Sequence, residues 1–151
     1  MLPFDDMIGR LKKLKNDAGK ILMVELEKNH YFFIINLVTD DQLYNRGVDN
    51  QGNKIFPGYA KSTIAKKKKV GLPFDRVTLL QDGDFYNHMF LEFDDYFFTV
   101  GNDDPDTSKL TYLYNRYGVQ VLGLTNDNVL LVAHRSKDGF VKRIKKHFLN
   151  E

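Results

Sequence analysis

The chain has 151 residues, 42% of them hydrophobic and 28% charged, with a net charge of +2. That is ample for one domain with its own core, and too little charge to imply nucleic-acid binding on that ground alone. With no cysteine anywhere, a disulfide framework and a thiolate metal site are excluded, and the composition fits a cytosolic origin.

The opening stretch Met1-Leu-Pro-Phe-Asp-Asp lacks the basic start and long apolar run of a signal peptide. From residue 5 to about 30 the pattern is helical. Met7, Ile8, Leu11, Leu14, Ala18, Ile21 and Leu22 recur at spacings of three and four and make one apolar stripe. Asn16-Asp17-Ala18-Gly19 are poor interior residues and predict a break or a bend. Tyr31 to Ile35 is rich in β formers, yet no turn separates it from the helix before it, so a continued helix is expected to Val38. That apolar run is interrupted by Asn36 and is far too short to span a bilayer, so no membrane association is expected. Thr39-Asp40-Asp41-Gln42 reads as an N-cap with an acidic first turn, opening a short helix that Gly47 ends.

Val48 to Asn53 is turn-rich. Its Asp and Asn spacing is loosely that of a calcium loop, but the other acidic positions and the closing glutamate are missing, so no metal is expected there. Pro57-Gly58 makes a turn. A helix opening at Ser62-Thr63 carries Lys66, Lys67, Lys68 and Lys69 and stops at Gly71, with Pro73 beyond. Arg76 to Leu80 reads as extended chain, and Asp82-Gly83-Asp84 as a turn with a helix cap leading to Phe85 and Tyr86. An antiparallel hairpin follows, with strands His88–Phe93 and Tyr96–Val100 and Asp94-Asp95 as its turn. Gly101 to Thr107 is an acidic loop. Asp106 or Thr107 caps a helix that ends at Gly118, and Thr125-Asn126-Asp127 caps a last helix running to the C-terminus, which Asp138-Gly139 interrupts or leaves intact. The class expected is α+β: long terminal helices on a small antiparallel sheet with a central hairpin. It is read as one domain, with an N-terminal helical region (1–38), a core (39–124) and a C-terminal helix (125–151).

Charge is segregated along the chain. Lys61, Lys66, Lys67, Lys68, Lys69 and Arg76 stand against Asp75 alone. Asp82, Asp84, Glu92, Asp94, Asp95, Asp103, Asp104 and Asp106 follow with no lysine or arginine among them, and the tail from Arg135 to Lys146 is basic again. Two readings stand: three solvated surfaces, or head-to-tail self-association in which the acidic face of one copy meets a basic face of the next. Four adjacent lysines on a helix point all around it, since each residue turns the helix by about 100°. They suit a solvated helix end, and non-specific contact with DNA phosphates is the alternative.

No chemistry is legible. His30, His88, His134 and His147 have no ligand-like spacing, and there is no phosphate loop, nucleophile elbow or cysteine nucleophile. The carboxylate pairs Asp82/Asp84 and Asp94/Asp95 are most simply turn residues. An enzyme is not expected, nor is a cofactor.

The segment Tyr59 to Lys68, then Gly71, then Val77 to Tyr86 resembles the virion-morphogenesis and tail-completion proteins of tailed bacteriophages. In that family a lysine-rich helix leads into a Leu-x-x-Thr-Gly turn and a β-hairpin. Leu80, Asp82, Gly83 and Phe85 match the turn, with Asp82 where the family usually has Thr and His88 where it usually has Ser. Leu43 to Asp49 with Gly52, and Tyr117-Gly118 with Leu122 to Thr125, look like a version of the family from phages of gut Bacteroidetes. The likeness covers roughly residues 40 to 125. It implies a structural protein of the virion neck, made in the bacterial host cytoplasm. Such proteins assemble as homo-oligomeric rings between the portal-side connector and the tail. The candidate mating surfaces are then Lys61, Lys66–Lys69 and Arg76 on one side and Asp82, Asp84, Asp94 and Asp95 on the other, with Gly83 and Phe85 forming the structural turn. The runner-up is a nucleic-acid-binding accessory protein that uses Lys66–Lys69 and the basic C-terminal helix.

Overall fold

The computed structural model describes residues 4–149, so Met1–Pro3 of the opening stretch and Asn150-Glu151 of the expected last helix lie outside the described residues. The element order is α1 (Phe4–Asn29), α2 (Tyr31–Asn36), a π-helix (Leu37–Arg46), α3 (Lys61–Lys69), α4 (Asp84–Asn87), β1 (Met89–Phe93), β2 (Phe98–Asn102), α5 (Thr107–Tyr117), a 3-10 turn (Val119–Val121) and α6 (Asn126–Leu149). This is an α+β chain with long terminal helices and a two-stranded antiparallel sheet.

α1 runs unbroken through Asn16–Gly19. Gly19 is there for clearance: a Cβ on it would stand 2.4 Å from Cδ1 of Tyr96, whose loop lies against the helix. The helical path breaks only at His30 (φ −129°, ψ 5°) and continues as expected through Tyr31–Ile35. No new helix starts at Thr39. The π-helix spans that point without interruption, the Thr39 hydroxyl donates to Ile35 O (3.1 Å), and the boundary drawn between residues 38 and 39 falls inside one element. Gly47 does end the helix, in the left-handed region at φ 61°. Its N–H and that of Val48 close back on Leu43 and Gln42.

Two of the predicted caps form as read. Asp106 accepts from Lys109 N (2.9 Å) at the start of α5, and Thr125 Oγ1 accepts from Asn128 N (3.4 Å) at the start of α6. α3 starts one residue earlier than expected, at Lys61, and its N-cap Ala60 provides no side-chain bond. The hairpin is shifted on its second side. Phe93 pairs with Phe98, so the loop is Asp94–Phe97 rather than a two-residue turn. α6 passes Asp138-Gly139 without a break.

One core joins these elements. Ile34, Val38, Leu43, Val77, Phe85, Val121 and Val132 are all buried in it. Each such side chain contributes roughly 1.5–3 kcal/mol by leaving water. α2 lies against β1, and the π-helix continues α2 without a break. α1 and α6 lie against each other over a long seam. They run antiparallel, since Arg10 reaches Phe148 O (2.9 Å) while Glu25 meets Arg143.

Candidate assembly surfaces

The central segment is not a strand. Val77 and Thr78 are buried, Leu79 sits at φ 56°, and no ladder pairs this stretch. Side chains satisfy its backbone instead. The Tyr59 hydroxyl accepts from Thr78 N (2.9 Å) and Leu79 N (3.2 Å), and the Tyr86 hydroxyl donates to Thr78 O (2.6 Å). Burial pushes the Tyr86 hydroxyl above the usual tyrosine range, so it stays protonated to donate. Lys67 Nζ donates to Leu80 O and lies 4.7 Å from the centre of the Tyr59 ring. Buried backbone groups need partners, and here the loop before α3, α3 itself and α4 supply them.

Lys67 is therefore not one of four equivalent surface cations. It is 6% exposed, while Lys61, Lys66, Lys68 and Lys69 face solvent. Lys68 stacks over Phe74 at 4.7 Å. Arg76 is also engaged internally: its Nε donates to Tyr44 O (2.8 Å) at the end of the π-helix, and it pairs with Asp75. Lys67 is withdrawn from the expected basic mating face by burial, and Arg76, half-buried, already spends two of its donors within its own chain.

The acidic side divides in the same way. Asp82 is exposed, and its Oδ1 accepts from Asp84 N (3.1 Å), the Asx turn expected there. Gly83 sits at φ 94°, a conformation that favours glycine. Phe85 is buried behind it. Asp84 stands 3.7 Å from Lys109, which also pairs with buried Asp104. The hydrogen bond from Lys109 holds the Asp104 carboxyl below its ordinary range. Asp95 pairs with Lys20 of α1 (3.0 Å), closing the hairpin loop onto its own chain. Asp94, Glu92 and Asp103 remain exposed, and none has a cation within 4 Å among the described residues. The structure thus brings Asp82 and Asp84 together at the α4 turn and separates them from Asp94 and Asp95 by the length of the hairpin, about 17 Å for five residues.

Two further features were not visible in the sequence. The first is a buried polar node in the α1/α6 seam. Glu25 is 3% exposed and accepts from Arg143 Nε and Asn29 Nδ2 (2.9 Å), with His30 Nε2 at 3.2 Å. Burial pushes its carboxyl up, and the bonds from Arg143 and Asn29 outweigh that and leave it below the ordinary range. The second is Gln42, fully buried, which donates to Gly123 O (2.9 Å) and accepts from Thr125 N (2.8 Å) and Asn128 Nδ2 (2.9 Å). It ties the π-helix to the start of α6.

Asp49, in the loop with calcium-like spacing, spends Oδ1 on the N–H groups of Gln51 (2.9 Å) and Asn53 (3.0 Å). Among the described residues no three His, Asp or Glu side chains cluster as metal ligands, and no helix is long and apolar enough to cross a membrane. Beyond the core the surface carries large apolar side chains towards the N-terminal end of α1 and the C-terminal end of α6. Phe4 is 75% exposed, Leu11 53% and Leu149 51%. Comparison of the chain with protein-family models, with curated proteins and with solved structures finds no match.

Proposed function

We propose that this chain is a structural subunit of a tailed-phage neck, a ring-forming protein placed between the portal-side connector and the tail. The observation that carries the reading is the unfinished helical pair. Within the described residues none before Met23 in α1, and none after Ser136 in α6, is buried, yet both stretches bear large apolar side chains. Apolar surface of this kind is covered by a partner in an assembly. The central segment supports the same reading. A lysine-rich helix, a pinned turn through Leu80, Asp82, Gly83 and Phe85, and a hairpin follow one another in the order that the resemblance requires.

The nucleic-acid reading loses ground at α3. Lys67 is withdrawn into the core, and the remaining lysines point in different directions around the helix rather than along one groove. Removing the gene from the phage that encodes this chain is expected to leave DNA-filled heads and separate tails that fail to join. A copy supplied in trans should restore joined particles. Normal joined particles without the gene would contradict the proposal.

A further inference from the structure

We infer that the free end of the α1/α6 pair is an arm that docks, head to tail, on the acidic hairpin side of a second copy of this chain. The inference rests on the ring reading and names the two surfaces that would close it. The arm is both apolar and basic. Beside exposed Phe4, Leu11 and Leu149 stand Lys12, Lys13 and Lys15 on α1 and Lys142, Lys145 and Lys146 on α6. All six lysines are exposed, and none has a carboxylate within 4 Å among the described residues. Arg10 and Arg143 are already committed to Asp6 and Glu25. Two arms laid side by side would bring these lysines together, so like-charge repulsion disfavours an isologous arm-to-arm pair.

The complementary surface lies on the solvent side of the hairpin of the same molecule. Glu92, Asp94 and Asp103 are exposed without a cation partner, and no lysine or arginine interrupts the stretch from Asp82 to Asp106. Within one chain only Asp95 finds α1, at Lys20. That contact fixes the hairpin loop near Gly19 and leaves the base of the hairpin about 17 Å further on. Beyond the Lys20–Asp95 pair, no ion pair joins the arm to the hairpin among the described residues, so their remaining opposite charges are free to meet between copies. A contact joining two different surfaces is heterologous and closes into a ring when the rotation allows.

The test uses two triple variants of the whole chain, Lys142→Glu/Lys145→Glu/Lys146→Glu on the arm and Glu92→Lys/Asp94→Lys/Asp103→Lys on the hairpin. Molar mass is measured by light scattering at low and high salt, with thermal melts to establish that each variant folds. Wild type should form oligomers at low salt that dissociate on the order of 0.5 M salt, where screening is strong. Each variant alone should stay monomeric, and the equimolar mixture should form oligomers again, because each reversed surface then meets its opposite. Variants that assemble like wild type, or a mixture that stays monomeric, would overturn the docking. So would a wild type that is monomeric at about 1 mM in low salt, a result that leaves the ring to be judged separately by its presence in virions. An arm variant that assembles normally but loses affinity for duplex DNA would overturn it too, and would assign the arm to nucleic acid instead.

Discussion

Replacing Lys67 with glutamate is expected to lower stability by about 3 kcal/mol or more, a fall in melting temperature on the order of 10 °C for a chain of this size. The side chain is 6% exposed and its ammonium donates to Leu80 O beside the Tyr59 ring. Glutamate there puts a buried negative charge against a carbonyl oxygen and the negative face of an aromatic ring, and leaves the carbonyl without its donor. Lys67→Met separates the parts. It keeps the bulk, loses the hydrogen bond and the cation–π contact with Tyr59, and should cost about 1–3 kcal/mol. The same reversal one residue earlier, Lys66→Glu, falls on an exposed position near the helix C-terminus and should cost less than about 1 kcal/mol. Chemical denaturation of the three variants checks this. Equal losses at positions 66 and 67 would mean that Lys67 is solvated and does not pin the central segment.

The second large effect is at Gly139, and its sign is the informative part. Alanine for glycine inside a helix ordinarily stabilises by roughly 0.5–1 kcal/mol. Gly9→Ala should do so, because nothing lies within 4 Å of the added Cβ. Gly139→Ala should instead destabilise by about 2 kcal/mol. Its Cβ would stand 2.0 Å from Glu25 Oε1 and 2.6 Å from Glu25 Cδ. A free carboxylate would swing aside cheaply. This one is buried and held by Arg143, Asn29 and His30, so the helices must part or the node must break. The double variant Glu25→Asp/Gly139→Ala shortens the obstructing side chain and should lose less than the two single changes added together. If the two alanine substitutions shift the melting temperature in the same direction, α6 does not approach α1 at this point.

These two positions mark where the sequence stopped being legible. Caps announce themselves locally, and Asp106, Thr125 and Gly47 lie where their chemistry predicts. The terminal helices and the hairpin follow from periodicity and propensity, which act over a few residues. Gly19 and Gly139 look like helix breakers, because clearance for Tyr96 and Glu25 is a tertiary fact with no local trace. Val77-Thr78-Leu79 has the propensity of a strand. It forms none, because Tyr59, Tyr86 and Lys67 reach its backbone from 8 to 20 residues away. The π-helix hides its start in the same manner, since Thr39 bonds back to Ile35 instead of opening a new turn.

For the residues proposed as mating surfaces, only the charge pattern was legible. Charge segregation is readable from composition along the chain, but which charges are already spent is not. Lys67, Arg76, Asp84 and Asp95 each have a partner within their own chain. What remains free on the basic side is the exposed part of α3 and, more extensively, the α1/α6 arm, whose apolar flank no linear reading could separate from ordinary core.

The most direct measurement of the proposed neck-ring role is the amount of this chain in purified virions of the phage that the proposal requires, quantified by mass spectrometry against the portal protein. A structural ring predicts a fixed ratio to portal, the same in every preparation. Absence from the particles, or a ratio that drifts between preparations, would contradict it.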